Sequence, residues 1–394
     1  MINPNNTSGN TIHNIQFISP DTLKIKTFSL LDKNGSVYKD TTAPDISKTK
    51  AIRIYKTMQF IRLLDERMLA AQRQGRISFY MQCTGEEAAV TASTSGLNDN
   101  DMIFSQYREQ AAMHYRGFSI DEFMNQMFSN ERDYGKGRQM PVHYGKAELN
   151  CMTLSSPLAT QIPQAAGYAY GQKMAGLQQC TLCYLGEGAA SEGDFHAGLN
   201  MAAVHQVPVI FFCRNNGYAI STIASEQFAG NGITARGAGY GIEAIRVDGD
   251  DVLAVYAATK KARDIAVKKN KPILIEALTY RLAAHSSSDD PSGYRTKKEE
   301  ALFLKKDPIQ RFRQWLLKKQ WLNEKEDSEE QQQIKTDILA ALKKAEQVSK
   351  PPVDEIITDV YHTPTPALQQ QLKHLKEHIK RHPEAYPHTA KRLI

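Results

Sequence analysis

The chain has 394 residues, with 49 Lys+Arg against 43 Asp+Glu and a formal net charge of +6. Hydrophobic residues make up 41% and charged residues 23%, an ordinary globular balance that excludes wholesale disorder. The longest apolar run, about Val207 to Cys213, falls far short of the ~20 residues a membrane span needs. Most of the excess charge lies after residue 297, where both signs interleave. That pattern is a solvated helical surface rather than a nucleic-acid patch. Five scattered cysteines indicate a reducing compartment. The N-terminus has neither an apolar signal core nor early arginines, so the cytoplasm is the expected location, with the mitochondrial matrix second.

In chain order, residues 1–45 are too polar to hold a core and read as an extended arm. From Asp45 to Gly75, Ile52, Tyr55, Met58, Ile61, Leu64 and Met68 recur every three or four residues, which predicts an amphipathic helix. Further helices fit Gly85 to Ser95, Glu109 to Tyr115 and 119–129. Thr181 to Leu185 is a short apolar run that ends in Gly186-Glu187-Gly188 and predicts a buried strand. A helix from Asp194 to His205, with Asp194 as its cap, leads to a second strand from Val207 to Cys213, closed by Arg214-Asn215-Asn216-Gly217. Strand, helix, strand is a parallel right-handed crossover. Ile242 to Val247, a helix over 251–268 and Ile273 to Leu278 extend the pattern. The expected class is α/β: a mostly parallel sheet with helices on both faces, Lys/Glu/Gln-rich helices after residue 297, and a tail after Pro351-Pro352.

Ligands of parallel sheets sit beyond the carboxyl ends of the strands. Glu187 and Asn216 follow successive strands and emerge together if those strands are neighbours. A carboxylate and an amide oxygen are hard ligands for Mg²⁺ or Ca²⁺. Between them Ala189 to Gly193 leads into a helix N-terminus, which favours a phosphate, and Gly186 and Gly188 allow close backbone approach. Either loop alone is merely a turn. Together, with twenty-six residues between Gly188 and Asn215, they describe a magnesium-diphosphate site whose spacing fits the metal motif of thiamine diphosphate enzymes, with Glu in place of the usual Asp.

The stretches Gln106-Tyr107-Arg108-Glu109, "GKGRQMPVHYG", "SSPLATQIPQA", "GEGAASEGD", "FFCRNNGYAIS", "RVDGDDV" and "HSSSDDPSGYR" extend the likeness across nearly the whole chain. The sequence resembles the α subunits of branched-chain 2-oxo acid dehydrogenases, and less closely those acting on pyruvate. The resemblance implies a thiamin diphosphate-binding fold at 46–345, between the arm at 1–45 and a tail at 346–394 that packs on the domain or on a partner. It implies magnesium held by Glu187, Asn216 and the carbonyl of Tyr218. It implies cofactor contacts from Tyr107, Arg108, Ser156, Gly188, Ala189, Arg214 and His285, with His285 and Ser156 catalytic. Ser155, Pro157, Thr160 and Gln161 match a potassium-binding turn, and Leu158 matches a position facing the substrate's branched side chain. Where the family often has His or Pro before His285, this chain has Ala284. Ser286 aligns with a serine that is phosphorylated in animal enzymes.

The implied reaction is decarboxylation of a branched 2-oxo acid and transfer of the acyl group to the lipoyl group of an acyltransferase. No carboxylate here suits the cofactor's aminopyrimidine, and too little chain remains for a second comparable domain. A separate β subunit in an α2β2 heterotetramer is therefore expected. Pyruvate or acetoin dehydrogenation is the alternative, and a non-catalytic assembly subunit the remote one. Other features read as structural. Cys180 and Cys183 face opposite sides of a strand, and His196 and His205 lie on opposite sides of one helix. Gly135-Lys136-Gly137 lacks the spacing of a P-loop. Ala197, Gly198, Ala202 and Ala203 form a small-residue helix face that packs on its own fold or on another subunit.

Overall fold

The computed structural model describes residues 14–19 and 22–386. The start of the expected arm and the last eight residues of the expected tail lie outside the described residues. The strands are β1 (Thr27–Phe28), β2 (Met102–Phe104), β3 (Cys151–Met152), β4 (Thr181–Gly186), β5 (Val209–Asn215), β6 (Tyr218–Ala219), β7 (Thr222–Ile223), β8 (Glu243–Asp248) and β9 (Ile273–Leu278). The helices are α1 (Lys48–Arg73), α2 (Glu87–Ser95), α3 (Gln110–Arg116), α4 (Ile120–Met127), α5 (Gln161–Met174), α6 (Gly193–His205), α7 (Ala224–Gln227), α8 (Thr234–Tyr240), α9 (Val252–Lys269), α10 (Lys297–Leu304), α11 (Pro308–Lys318), α12 (Glu324–Glu346), α13 (Glu355–Thr358) and α14 (Pro366–Arg381).

Seven strands form one sheet in the order β1-β8-β9-β5-β4-β2-β3, and every pairing in it is parallel. A parallel sheet is covered on both faces, so its central strands β4 and β5 are nearly continuous apolar runs, while β8 nearer the edge carries Glu243, Arg246 and Asp248. In β4 and β5, Leu182, Tyr184, Ile210 and Phe212 join one core with α1, α2 and α9. Cys183, Leu185, Phe211 and Cys213 join a second core with α5 and α6. Cys180 belongs to the first core and Cys183 to the second, as the two-residue repeat of a strand requires. All five cysteines are buried and unpaired.

The crossover β4-α6-β5 puts Thr181 opposite Val209 and Gly186 opposite Arg214. Helix α6 starts earlier than the sequence indicates. A 3₁₀ turn over Ala189–Ser191 intervenes, Glu192 is the cap residue, and Asp194 sits in the first turn. Gly198 of α6 lies against Ile162 and Pro163 of α5 and Ala202 is buried with it, while Ala197 of the same small-residue group is exposed. The outward sides of the same two helices expose Tyr168, Tyr170, Met174, Met201 and Val204.

Five strands are absent from the sequence reading: the short hairpin β6–β7 and three strands of the main sheet. β1 lies in the expected arm, where Leu30 and Leu31 are buried and donate their backbone N–H groups to Asp251 Oδ2, each at 2.6 Å. β2 and β3 have three and two residues, too few to carry a period. They place Tyr107 and Ser156 at the same edge of the sheet as Glu187 and Asn216. No helix among the described residues is long and apolar enough to cross a membrane.

Candidate active site

Because β4 and β5 are in-register neighbours, Glu187 and Asn216 leave the sheet side by side. The Asn216 backbone N–H donates to Glu187 Oε2 at 3.2 Å. Glu187 is 1% exposed, and its Oε1 is buried without a hydrogen-bond partner. Burial pushes its pKa up and Glu86 adds to that push, while the Asn216 N–H and Arg214 oppose it. An orphaned buried carboxylate oxygen is the donor a cation would satisfy. Asn216 Oδ1 accepts from the Tyr218 N–H at 3.1 Å, and Arg281 Nη1 lies 3.5 Å from the Tyr218 carbonyl. One carboxylate, one amide and one carbonyl thus surround a single turn, all hard oxygen donors. Among the described residues there is no cluster of three or more His, Cys, Asp or Glu that could hold a metal instead.

The glycines divide. A Cβ at Gly186 would make only ordinary contacts, whereas one at Gly188 would sit 2.8 Å from Ala219 Cβ. Gly188 is therefore required by the β6–β7 hairpin folding back over the tip of β4. That hairpin is clamped from outside by Glu299, which accepts from Tyr218 Oη at 2.8 Å and Tyr280 Oη at 3.0 Å. A cavity of about 780 Å³ opens beside Asn216, Tyr218 and Phe303.

Arg214 is buried between two carboxylates. Its Nη1 donates to Glu86 Oε2 at 2.8 Å and its Nε to Glu109 Oε1 at 2.7 Å. Glu86 also accepts from Asn216 Nδ2 at 2.8 Å. Burial raises the Glu86 pKa, but Arg214, Arg108 and Asn216 outweigh it and hold the group ionised. Glu109 Oε2 collects the backbone N–H groups of Gln106, Tyr107 and Arg108 at 2.8, 2.9 and 3.0 Å, which fixes the turn after β2. Arg108, also buried, donates to the carbonyls of Gln82 and His285, and its Nη2 lies 3.2 Å from His285 Nδ1. Burial, with Arg108 and Arg281 beside it, pushes the His285 pKa down to about 3. The ring of Tyr107 meets His285 edge-on at 6.0 Å.

Beyond β3, Ser155, Pro157 and Thr160 share one turn. Thr160 Oγ1 is 2.9 Å from both Ser155 Oγ and the Pro157 carbonyl. Gln161 Nε2 donates to the Tyr184 carbonyl of β4 at 3.0 Å. Ser156 and its neighbours line a cleft of about 710 Å³ with Phe104, Met152 and Gln164. Leu158 is 40% exposed.

Residues 55–354 match the family described as dehydrogenase E1 component. The chain belongs to that family. Dehydrogenase E1 components depend on thiamine diphosphate, generally with a divalent metal. The chain is 49% identical over 365 residues to the mitochondrial 2-oxoisovalerate dehydrogenase subunit alpha of Dictyostelium discoideum, covering 92% of this chain and 83% of that one. It is 46% identical to the human mitochondrial protein of that name over 96% of this chain and 86% of the other. Against subunit alpha 1 from Arabidopsis thaliana the identity is 46%, over 92% and 77%.

These relatives are named as mitochondrial proteins, which overturns the cytoplasmic expectation. Sequence reasoning also missed Glu86, Glu109, His143 and Arg281. Two glutamates opening the wholly buried helix α2 were the available signal for Glu86, since buried carboxylates need partners.

Proposed function

We propose that this chain is the α subunit of the E1 component of a branched-chain 2-oxo acid dehydrogenase, and that it decarboxylates 3-methyl-2-oxobutanoate and related acids. The observation that carries the reading is the orphaned Glu187 oxygen beside Asn216 at neighbouring strand tips, in a chain of this family. Glu187, Asn216 Oδ1 and the Tyr218 carbonyl hold Mg²⁺ against a diphosphate. Arg108, Arg214, Tyr107, Ser156, Gly188 and Ala189 line the cofactor, and Ser155, Pro157, Thr160 and Gln161 form a potassium turn. Thiamine diphosphate, when bound, supplies the nucleophilic carbon and the electron sink that let a 2-oxo acid lose CO₂.

The protein's own part is positional and electrostatic. Glu86 and Glu109 lock Arg214, so the guanidinium meets the diphosphate without reorganising. His285 stays neutral, and its Nδ1 faces the donor Arg108, so the proton resides on Nε2. It presents a neutral donor at the reacting end of the site. Leu158 contacts the branched side chain.

Residues 46–345 form the cofactor-binding unit, to which the arm before them contributes the edge strand β1, and the described residues after 345 form a tail. The β subunit, in an α2β2 assembly, covers the apolar strip on α5 and α6 and supplies the activating carboxylate. The lipoyl group of the acyltransferase takes the acyl group. The test is turnover of 3-methyl-2-oxobutanoate and pyruvate by the assembled enzyme, with calorimetric titration of thiamine diphosphate. Glu187→Ala is expected to abolish Mg²⁺-dependent binding, and α without β is expected to be inactive. Full turnover by α alone, or unchanged binding in Glu187→Ala, overturns the reading. Preference for pyruvate transfers it to the pyruvate enzyme.

A further inference from the structure

The stretch Gly135 to Gly145 holds a residue with no role so far. His143 is buried, and its Nε2 lies 2.6 Å from Ser156 Oγ, while its Nδ1 lies 3.1 Å from the Pro141 carbonyl. A carbonyl only accepts, so in the neutral ring Nδ1 carries the proton and Nε2 is a bare lone pair. The Ser156 hydroxyl must then donate to His143. Its single proton is committed inward, and toward the cleft Ser156 offers only lone pairs.

The surrounding backbone is built to hold this pair. Val142, β-branched and buried, has φ 68°, and Ala159, buried on the other side of Ser156, also has φ 68°. Non-glycine residues enter this region rarely and persist there only where the surroundings enforce it. Gly145 lies so close to Thr153 that any Cβ would collide with its backbone. The Leu154 N–H donates to the Tyr144 carbonyl at 3.1 Å, tying the His143 turn to the Ser156 segment.

We infer that His143 is a positioning residue that fixes Ser156 as a hydrogen-bond acceptor, so that Ser156 takes an N–H or O–H donor from the organic part of the bound cofactor or substrate and not a diphosphate oxygen. A diphosphate oxygen needs a donor, and Ser156 has none to give while His143 holds its proton. The inference rests on thiamine diphosphate being the cofactor.

The experiment is calorimetry on the assembled enzyme with two probes, thiamine diphosphate and inorganic pyrophosphate, each with Mg²⁺. His143→Ala and Ser156→Ala are each expected to weaken thiamine diphosphate about tenfold and to leave pyrophosphate unchanged. The double variant should lose no more than either single one, because both remove the same hydrogen bond. His143→Gln, whose amide oxygen can reach the position of Nε2, should recover most of the affinity and guards against misfolding in His143→Ala. Equal weakening of both probes, multiplicative losses, or unchanged thiamine diphosphate binding in His143→Ala overturns the inference. If the unmodified enzyme binds neither probe, the cofactor reading itself fails.

Discussion

The two halves of the sheet's carboxyl edge are built from different chemistry. Around the tips of β4 and β5 the side chains are charged and buried, with Glu187 and Arg214 interleaved with Glu86 from the start of α2 and Arg108 and Glu109 from the turn after β2. At the tip of β3 the side chains are neutral and more open, and a strained backbone rather than ion pairing holds Ser156 and His143. A polyanion with its metal ion needs fixed charge that costs no reorganisation on binding. An uncharged ring or substrate needs hydrogen bonds of defined polarity. The division maps onto a ligand with one charged end and one organic end.

The largest break in that comparison is Arg214→Met. It strands Glu86 and Glu109 as buried charges without their common partner. Losing one member of such a group costs about 3–5 kcal/mol. The urea unfolding midpoint should fall accordingly, whereas Ser156→Ala, which removes one neutral hydrogen bond to His143, should cost only about 1 kcal/mol.

A smaller effect comes from the seam between the halves. Folding holds the His285 pKa at about 3, below the ordinary value of 6.5. Between those values the unfolded chain binds a proton that the folded chain refuses. Stability is complete above about pH 6.5 and declines as pH falls toward 3. Part of the ring meets solvent, so the contribution at pH 5 is about 1 kcal/mol. Urea midpoints against pH should show a shallower acid slope in His285→Ala.

The smallest effect belongs to the open half. Leu158→Ala removes an exposed side chain and should change stability by less than about 0.5 kcal/mol. It should shift the kcat/KM ratio between branched and straight-chain 2-oxo acids by about tenfold or less.

The ionic half was partly legible in the sequence. β4 and β5 are six and seven residues of nearly unbroken apolar character, each ending in a polar turn, and their spacing fixes a crossover that brings Glu187 to Asn216. Glu86 was not legible in its role, because its partners Arg214 and Asn216 are remote in sequence and only the fold brings them together. The neutral half was legible only through family resemblance. β3 is too short for periodicity, and the contact of His143 with Ser156 depends on a turn whose unusual φ values no pattern of polar and apolar residues encodes. The start of α6 was misplaced by one residue and its cap by two, because a 3₁₀ turn lies between the β4 tip and the helix.

The tyrosines and methionines left bare along α5 and α6 carry a consequence for biosynthesis. A copy that finishes folding before its partner is available meets water with an oily flank, the kind of surface that chaperones hold and that drives clumping at high concentration. Overproducing this chain by itself should therefore yield inclusion bodies or chaperone-bound material, and the supply of its companion polypeptide sets how much of it stays dissolved.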